Sequence, residues 1–308
     1  MNFRWQACLE DINFELSSLF DIQEKQSAAK APVESSDGDS ASKSACSERR
    51  ITAFKELSIA SLSRTITAVY VVCFLEIFVH TQLFEILKQK KQGSRFHETA
   101  VRRYLSVVQG FSRGDRSVLH RISHRVDCSV REFFSTHSLT EKTNAAGVKR
   151  VLGEIRSRVE RSPGSNDEGH TWICRLVLQL LKSRMPAIPV SLLSSIAQES
   201  DEQLQILLSI LEEVLESEVF AEALSAAYTK AFDLLEEDMV AATFVSTTNS
   251  DTVSTQIAIA KLAPAASNLF TRILEPRRVG TNDDPRSYGA CALEAAACSS
   301  LFTAVSSC

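Results

Sequence analysis

The sequence predicts an all-α protein, folded as an elongated bundle of long antiparallel helices. Large apolar residues recur at spacings of three and four over long stretches, as they do on the buried face of an amphipathic helix. The 308 residues include only 10 Gly and 7 Pro, and the β-branched residues do not fall into short alternating runs, so signals for strands and tight turns are sparse. Each apolar stripe needs another to cover it, which favours a bundle.

The chain divides into three parts. Residues 1–26 are expected to form an N-terminal helix, with apolar residues spaced three to five apart over 3–24. Residues 27–49 are expected to be a flexible linker, because they hold too little apolar surface to offset the entropy lost on ordering. Residues 50–308 are expected to form the helical bundle.

Within the bundle, the longest apolar pattern begins at Arg50 and ends before Gly93. The remaining helices are predicted from the same periodicity at the following positions: 101–133 with a kink at Gly114, 139–160, 169–184, 204–235 with a break near Ser217, 251–275 with a bend at Pro264, and 288–308.

The stretch from Ile66 to Leu87 is long enough to span a bilayer. It contains Glu76 and Glu85, and a charge at the centre of a span costs about 2.5–3.5 kcal/mol. We therefore expect a helix buried in the bundle, with a membrane span as the alternative.

Composition narrows the class of protein. The net charge of −4 argues against a nucleic-acid binder. The eight cysteines form no C-x-x-C pair, which indicates free thiols in a reducing compartment. Residues 88–131 carry 11 Lys/Arg and three acids, whereas residues 199–238 carry 12 Asp/Glu and one base. These stretches are interpreted as solvated faces of neighbouring helices, with contact to anionic membrane lipid as the alternative for the basic one.

Motifs for catalysis are missing from the sequence. It contains no Walker A loop, no G-x-G-x-x-G and no G-x-S-x-G. His120 and His124 lie four apart, but the glutamate of H-E-x-x-H is missing and arginines flank them, so they are interpreted as surface histidines. Cys291 and Cys298 have no nearby histidine and are interpreted as packing residues. The sequence thus predicts no enzyme, cofactor, metal or small-molecule substrate.

Several short motifs resemble those of a known protein family and occur along the chain in the same order as in that family. They are FKELSI (54–59), SRT (63–65), AVY (68–70), QL (82–83), YLS (104–106), LGEIR (152–156), LES (215–217) and IAKLAP (259–264). Together they resemble the peroxin-3 family, also called peroxisomal biogenesis factor 3, most clearly over residues 50–275.

The resemblance implies both a fold and a task. Family members are elongated helical bundles that face the cytosol at the peroxisomal membrane, some after transit through the endoplasmic reticulum. They hold peroxin-19, a chaperone of peroxisomal membrane proteins, by taking its N-terminal amphipathic helix into an apolar groove. The resemblance thus implies a docking receptor that supports membrane-protein insertion and peroxisome biogenesis.

The resemblance also implies site residues for the peroxin-19 groove. Phe54 stands at the position of the family's groove tryptophan and keeps a large planar ring while losing the indole N–H donor. Arg50 and Ile51 match the preceding basic and apolar positions, and Leu57 lies one turn further on. The alternative interpretation of Phe54 is an ordinary core residue at the start of a helix.

One departure concerns the membrane anchor. Family members carry an N-terminal transmembrane helix, and residues 1–48 contain no comparable apolar segment, so membrane attachment is implied by the resemblance alone. A helical adaptor or organelle tether unrelated to peroxisomes is the alternative function.

Overall fold

The computed structural model describes residues 41–91, 98–109, 117–161, 172–184, 195–244, 256–274 and 287–298. Helix accounts for 92% of the described residues, so the predicted all-α fold is confirmed. The helices are α1 (Ala41–Lys91), α2 (Glu98–Gln109), α3 (Val118–Thr136), α4 (Ala145–Glu160), α5 (Trp172–Arg184), α6 (Ser195–Glu216), α7 (Glu218–Phe244), α8 (Leu262–Leu274) and α9 (Tyr288–Cys298).

Two short strands complete the described elements. Strand β1 (Lys142–Thr143) pairs antiparallel with β2 (Ile257–Ala258), with Lys142 opposite Ala258. A 3₁₀ turn at Ile259–Lys261 joins β2 to α8. The backbone N–H of Ile259 donates to the carbonyl of Glu141 at 3.0 Å, which extends this pairing by one residue.

The chain forms two compact units. Of the described residues, the first unit comprises 41–69, 123–161, 232–244 and 256–274, and the second comprises 70–91, 98–109, 117–122, 172–184, 195–231 and 287–298. In the first, β1 lies against α4, and the 3₁₀ turn lies against α8. In the second, α6 packs against both α2 and α5. Helices α1, α3 and α7 contribute residues to both units.

The core of each unit draws on α1. In the first unit Leu62 and Ile66 are fully buried, and the hydroxyl of Thr65 donates to the carbonyl of Ala266 in α8 at 2.7 Å. In the second unit the ring of Tyr70 packs edge-on against Trp172 and Tyr228, with centroids 5.8 and 4.9 Å apart. Such edge-to-face pairs stabilise a core beyond the area they bury.

The candidate membrane span lies within α1. The stretch Ile51–Gln89 is long and apolar enough to cross a bilayer; its most apolar 18-residue window has a mean hydropathy of 1.8, yet 78% of that window is buried inside the protein. Length and composition alone are weak evidence, because a core helix passes the same test. This burial favours the packed helix over the span.

Several predicted boundaries were wrong. Residues 41–49 of the predicted linker belong to α1. Ala, Ser, Lys and Glu are tolerated in a helix, and the packed segment that follows allows the helix to extend through these residues. The single helix over 101–133 is two helices, α2 and α3, and the predicted kink at Gly114 lies outside the described residues. The predicted helix at 3–24, the linker at 27–40 and the last ten residues of the helix predicted at 288–308 also lie outside them; the described part of that last helix is α9.

Two helices begin later than predicted, and one break is confirmed. Helix α4 starts at Ala145 rather than 139, because the side chain of Asn144 caps it by accepting from the N–H of Gly147 at 2.9 Å. Helix α8 starts at Leu262 rather than 251, so Pro264 lies in its first turn, where a missing backbone N–H is tolerated. The break predicted near Ser217 separates α6 from α7.

Candidate docking site

The four predicted groove residues all lie on α1. Ile51, Phe54 and Leu57 are exposed at 62%, 45% and 53%. Arg50 belongs to the same helix, but its side chain lies outside the described ones. Three of the six large hydrophobic side chains that are exposed in the described part of the chain therefore fall within seven consecutive residues.

The helical repeat explains how these side chains lie together. At 3.6 residues per turn, steps of three residues turn by about 300°, so Ile51, Phe54 and Leu57 cover an arc of about 120°. We call these three side chains the apolar patch. They form a strip on consecutive turns, which is the arrangement that another amphipathic helix can cover.

The apolar patch continues a buried face. Ile51 and Phe54 share a helix face with Ser58 and Leu62, which are 1% and 0% exposed. The hydroxyl of Ser58 donates to the carbonyl of Phe54 at 2.9 Å, so it is satisfied within the helix. From Ser58 onward, other residues therefore bury this face of α1. Before Ser58, no described residue covers it.

A polar cluster fixes this turn of α1 to α3. The guanidinium group of Arg131 donates to Glu56 at 2.8 Å and to Asp127 at 2.7 Å. The hydroxyl of Ser63 donates to the other oxygen of Asp127 at 3.3 Å. Partial burial lowers the pKa of Arg131, but its hydrogen bonds to Asp127 and Glu56 outweigh this, so the pKa lies above its usual value.

A separate cavity of about 300 Å³ lies in the first unit. It is lined by β1, the first turns of α4 and residues near β2, including Glu141, Lys142, Arg150, Glu154 and His137. These side chains carry both signs of charge. The sequence analysis missed this cavity, because it depends on β1 pairing with a segment more than 100 residues away.

The histidine at this cavity stacks on an aromatic ring. The ring of His137 stacks on Phe133, with centroids 4.2 Å apart and planes 10° from parallel. Its Nδ1 lies 3.0 Å from the hydroxyl of Thr136, and its Nε2 lies 3.9 Å from Glu154. Among the described residues, no group of three or more His, Cys, Asp or Glu side chains could hold a metal ion.

The uneven charge of the sequence has a structural counterpart in the second unit. Helix α2, from the basic stretch, packs on α6, from the acidic stretch. Arg103 pairs with Asp201 across this contact, and Arg102 pairs with Glu98 within α2. This pairing supports the interpretation of neighbouring solvated faces, while contact of the basic stretch with anionic lipid stays a prediction.

The fold and the apolar patch together define an all-α protein with an uncovered apolar strip at one stretch of its longest described helix. No model of a known protein family matches the chain, and a search of curated proteins finds no significant match.

Proposed function

We propose that this chain is a docking protein whose apolar patch binds an amphipathic helix of a partner protein. The observation that carries the proposal is the exposure of Ile51, Phe54 and Leu57 on consecutive turns of one helix. Clustered apolar side chains left in water mark interaction sites, whereas single ones need no explanation. The spacing fits helix recognition, in which apolar anchors enter a complementary surface at i, i+3 and i+4.

The partner we propose is the N-terminal amphipathic helix of peroxin-19. Support comes from the motifs that resemble the peroxin-3 family over residues 50–275, in which Phe54 stands at the position of the groove tryptophan. On this proposal the chain acts at the cytosolic face of the peroxisomal membrane and supports membrane-protein insertion and peroxisome biogenesis. A membrane attachment is part of the proposal and has no support in the described residues.

The area around Phe54 suits a binding hot spot. Aromatic side chains contribute a large apolar surface with few rotatable bonds, and they dominate binding free energies where they become fully buried. Phe54 is half-exposed in the free chain, so it has surface left to bury. Covering this side chain on partner binding would remove the remaining exposed part of its ring from water.

The test is calorimetric titration of the 308-residue chain with a peptide of the peroxin-19 amphipathic helix. Phe54→Ala is expected to weaken binding by about 2–4 kcal/mol, the usual range for a hot spot. Ile206→Ala is the matched control, since Ile206 is 49% exposed on α6 in the second unit. This control should leave the affinity unchanged.

Each other outcome has a defined meaning. If Phe54→Ala lowers thermal stability but not affinity, Phe54 is a core residue and the docking site is wrong. If an unrelated amphipathic helix binds as tightly and with the same dependence on Phe54, docking stands but the peroxisomal assignment falls to the adaptor alternative. If deleting residues 1–40 is needed before any peptide binds, the predicted helix at 3–24 is the occupant of the patch.

A further inference from the structure

Residues 3–24, called here the N-terminal segment, carry an apolar stripe of the kind that the apolar patch can bind. At about 100° per residue, six large apolar residues of this segment fall within an arc of about 100° on a helix. They are Trp5, Leu9, Ile12, Leu16, Leu19 and Phe20. The segment lies outside the described residues, and its sequence has the spacing of a helix with one apolar face.

The charges around the two apolar surfaces have opposite signs. The N-terminal segment contains five acids and one base. Residues 41–57, the first part of α1, contain four bases and two acids. The helical register places Arg50 within the arc of the patch and Lys55 at its edge, and it places Glu15 at one edge of the apolar stripe. Glu24 lies at the other edge. Opposite charges beside a shared apolar contact favour this pairing.

The connection between the two surfaces has a suitable length. Sixteen residues, 25–40, separate the N-terminal segment from Ala41, where α1 begins. Phe54 lies 13 residues further along α1, which is about 20 Å at 1.5 Å per residue. A random-coil chain of 16 residues has a root-mean-square span of about 20–24 Å. A connection whose span matches the distance gives the highest effective concentration, on the order of millimolar.

We propose that the N-terminal segment binds the apolar patch of its own chain and blocks it against the partner helix. This contact presupposes the docking surface proposed above and regulates its use. The two helices compete, because each needs Phe54 and the apolar side chains on the neighbouring turns. The patch is open to a partner only in the fraction of molecules whose N-terminal segment has left it, and the apparent affinity falls in proportion to that fraction.

Hydrogen exchange of the full chain, followed by mass spectrometry, tests the contact without any partner. A free helix of this length is marginal in water, so slow amide exchange reports docking. With the patch open in less than about a tenth of the molecules, the N-terminal segment should exchange about tenfold more slowly than it does as a synthetic peptide. Phe54→Asp should abolish this protection. Ile206→Asp, a charge placed on an exposed apolar residue of the second unit, should keep it.

Competition is tested by releasing the N-terminal segment in the full chain. The released variant, Ile12→Asp with Leu16→Asp, adds charge at the centre of the apolar stripe and should bind the peroxin-19 peptide at least about tenfold more tightly. Ala7→Asp with Ser18→Asp adds the same charge to the opposite helix face and should leave the affinity unchanged. In the released variant Phe54→Ala should show its full effect on partner binding, because no competing contact is lost with it.

Failure of this contact can be told apart from failure of the docking site. Unprotected exchange of the N-terminal segment in the unchanged chain, or protection that survives Phe54→Asp, overturns the contact. Protection that disappears on dilution assigns the occupant to a second copy of the chain and also overturns it. If the peptide binds through Phe54 and the released variant binds no more tightly, the contact is wrong and docking stands. If protection depends on Phe54 and the peptide fails to bind even the released variant, the contact stands and the proposed partner is wrong.

Discussion

The guanidinium group of Arg131 lies 2.8 Å from a carboxylate oxygen of Glu56, which joins α3 to the turn of α1 that carries the apolar patch. At about 100° per residue, Glu56 lies about 160° around α1 from Phe54. The ion pair therefore holds against α3 the side of α1 that faces away from Phe54. Both partners are nearly half-exposed, and ion pairs of that kind contribute little to stability. The role we infer for the pair is positioning.

A double-mutant cycle measures this pair. Glu56→Gln, Arg131→Met and the double variant are expected to give a coupling free energy of about 0.2–1 kcal/mol in urea unfolding, falling at high salt because exposed charges are screened. Arg102→Met removes a comparable exposed pair with Glu98 and controls for general charge effects. A coupling above about 2 kcal/mol would contradict the positioning role and show that the pair stabilises the fold itself.

Two apolar residues of α1, one buried and one exposed, should differ in how much their substitution lowers the free energy of unfolding. Leu62 is fully buried, and Leu62→Ala is expected to lower the free energy of unfolding by about 2–5 kcal/mol through lost burial and a cavity. Phe54→Ala should lower it by less than about 1 kcal/mol, because nearly half of that side chain already meets water. Thermal or urea unfolding of the two variants makes the comparison. Equal losses would show that Phe54 belongs to the core.

The sequence pattern predicted the helices well and their ends less well. Periodicity identifies a helix from many residues at once, and it placed the end of α1 and the break at Ser217 correctly, while α1 begins nine residues before the predicted Arg50. The start of α4 is set by one capping side chain, that of Asn144. The start of α8 follows a strand pair between Lys142 and Ala258, a contact too distant in sequence for any local pattern to show.

The candidate site could also be predicted only in part from the sequence. Periodicity defines the face that Phe54 shares with Leu62, but not where along that face the cover ends, because cover is supplied by other helices. The exposure of the patch therefore required the structure.

Two glycines of α4 make a matched pair for substitution. A Cβ atom at Gly147 would overlap Oγ1 of the buried Thr143, whereas one at Gly153 would meet nothing within 4 Å. Gly153→Ala is expected to raise the free energy of unfolding by about 1 kcal/mol through helix propensity. Gly147→Ala should lower it by about 1 kcal/mol, since overpacking of about 1–3 kcal/mol exceeds the same gain.

Adding Thr143→Ala checks the cause. If the overlap with Oγ1 is responsible, Gly147→Ala should become less destabilising in the Thr143→Ala background than in the unchanged chain, as contacting residues couple in such cycles. Urea unfolding of the four proteins gives the coupling. Additive effects would show that Gly147 is needed for its backbone and not for space.

A buried hydrogen bond joins α1 to α2. The hydroxyl of Tyr104 donates to Oε1 of Gln82 at 2.6 Å, and both residues are almost fully buried. The Nε2 atom of Gln82 has no partner among the described residues. Tyr104→Phe leaves Oε1 of Gln82 without a hydrogen-bond donor as well, and should lower the free energy of unfolding by about 1–3 kcal/mol. Combining it with Gln82→Met removes both polar groups, so the double variant should be the more stable of the two.

Burial of the same hydroxyl makes stability depend on pH in the alkaline range. Burial raises the pKa of the Tyr104 hydroxyl above its usual value of about 10. Below about pH 10 the hydroxyl is protonated in both states, and its contribution to stability is fully present. Above that pH the unfolded chain ionises first, so the free energy of unfolding falls by up to about 1.4 kcal/mol per pH unit until the folded-state pKa is reached. Tyr104→Phe should flatten this decline in urea unfolding measured from pH 9 upward, and an unchanged slope would mean that the hydroxyl of Tyr104 meets water in the folded protein.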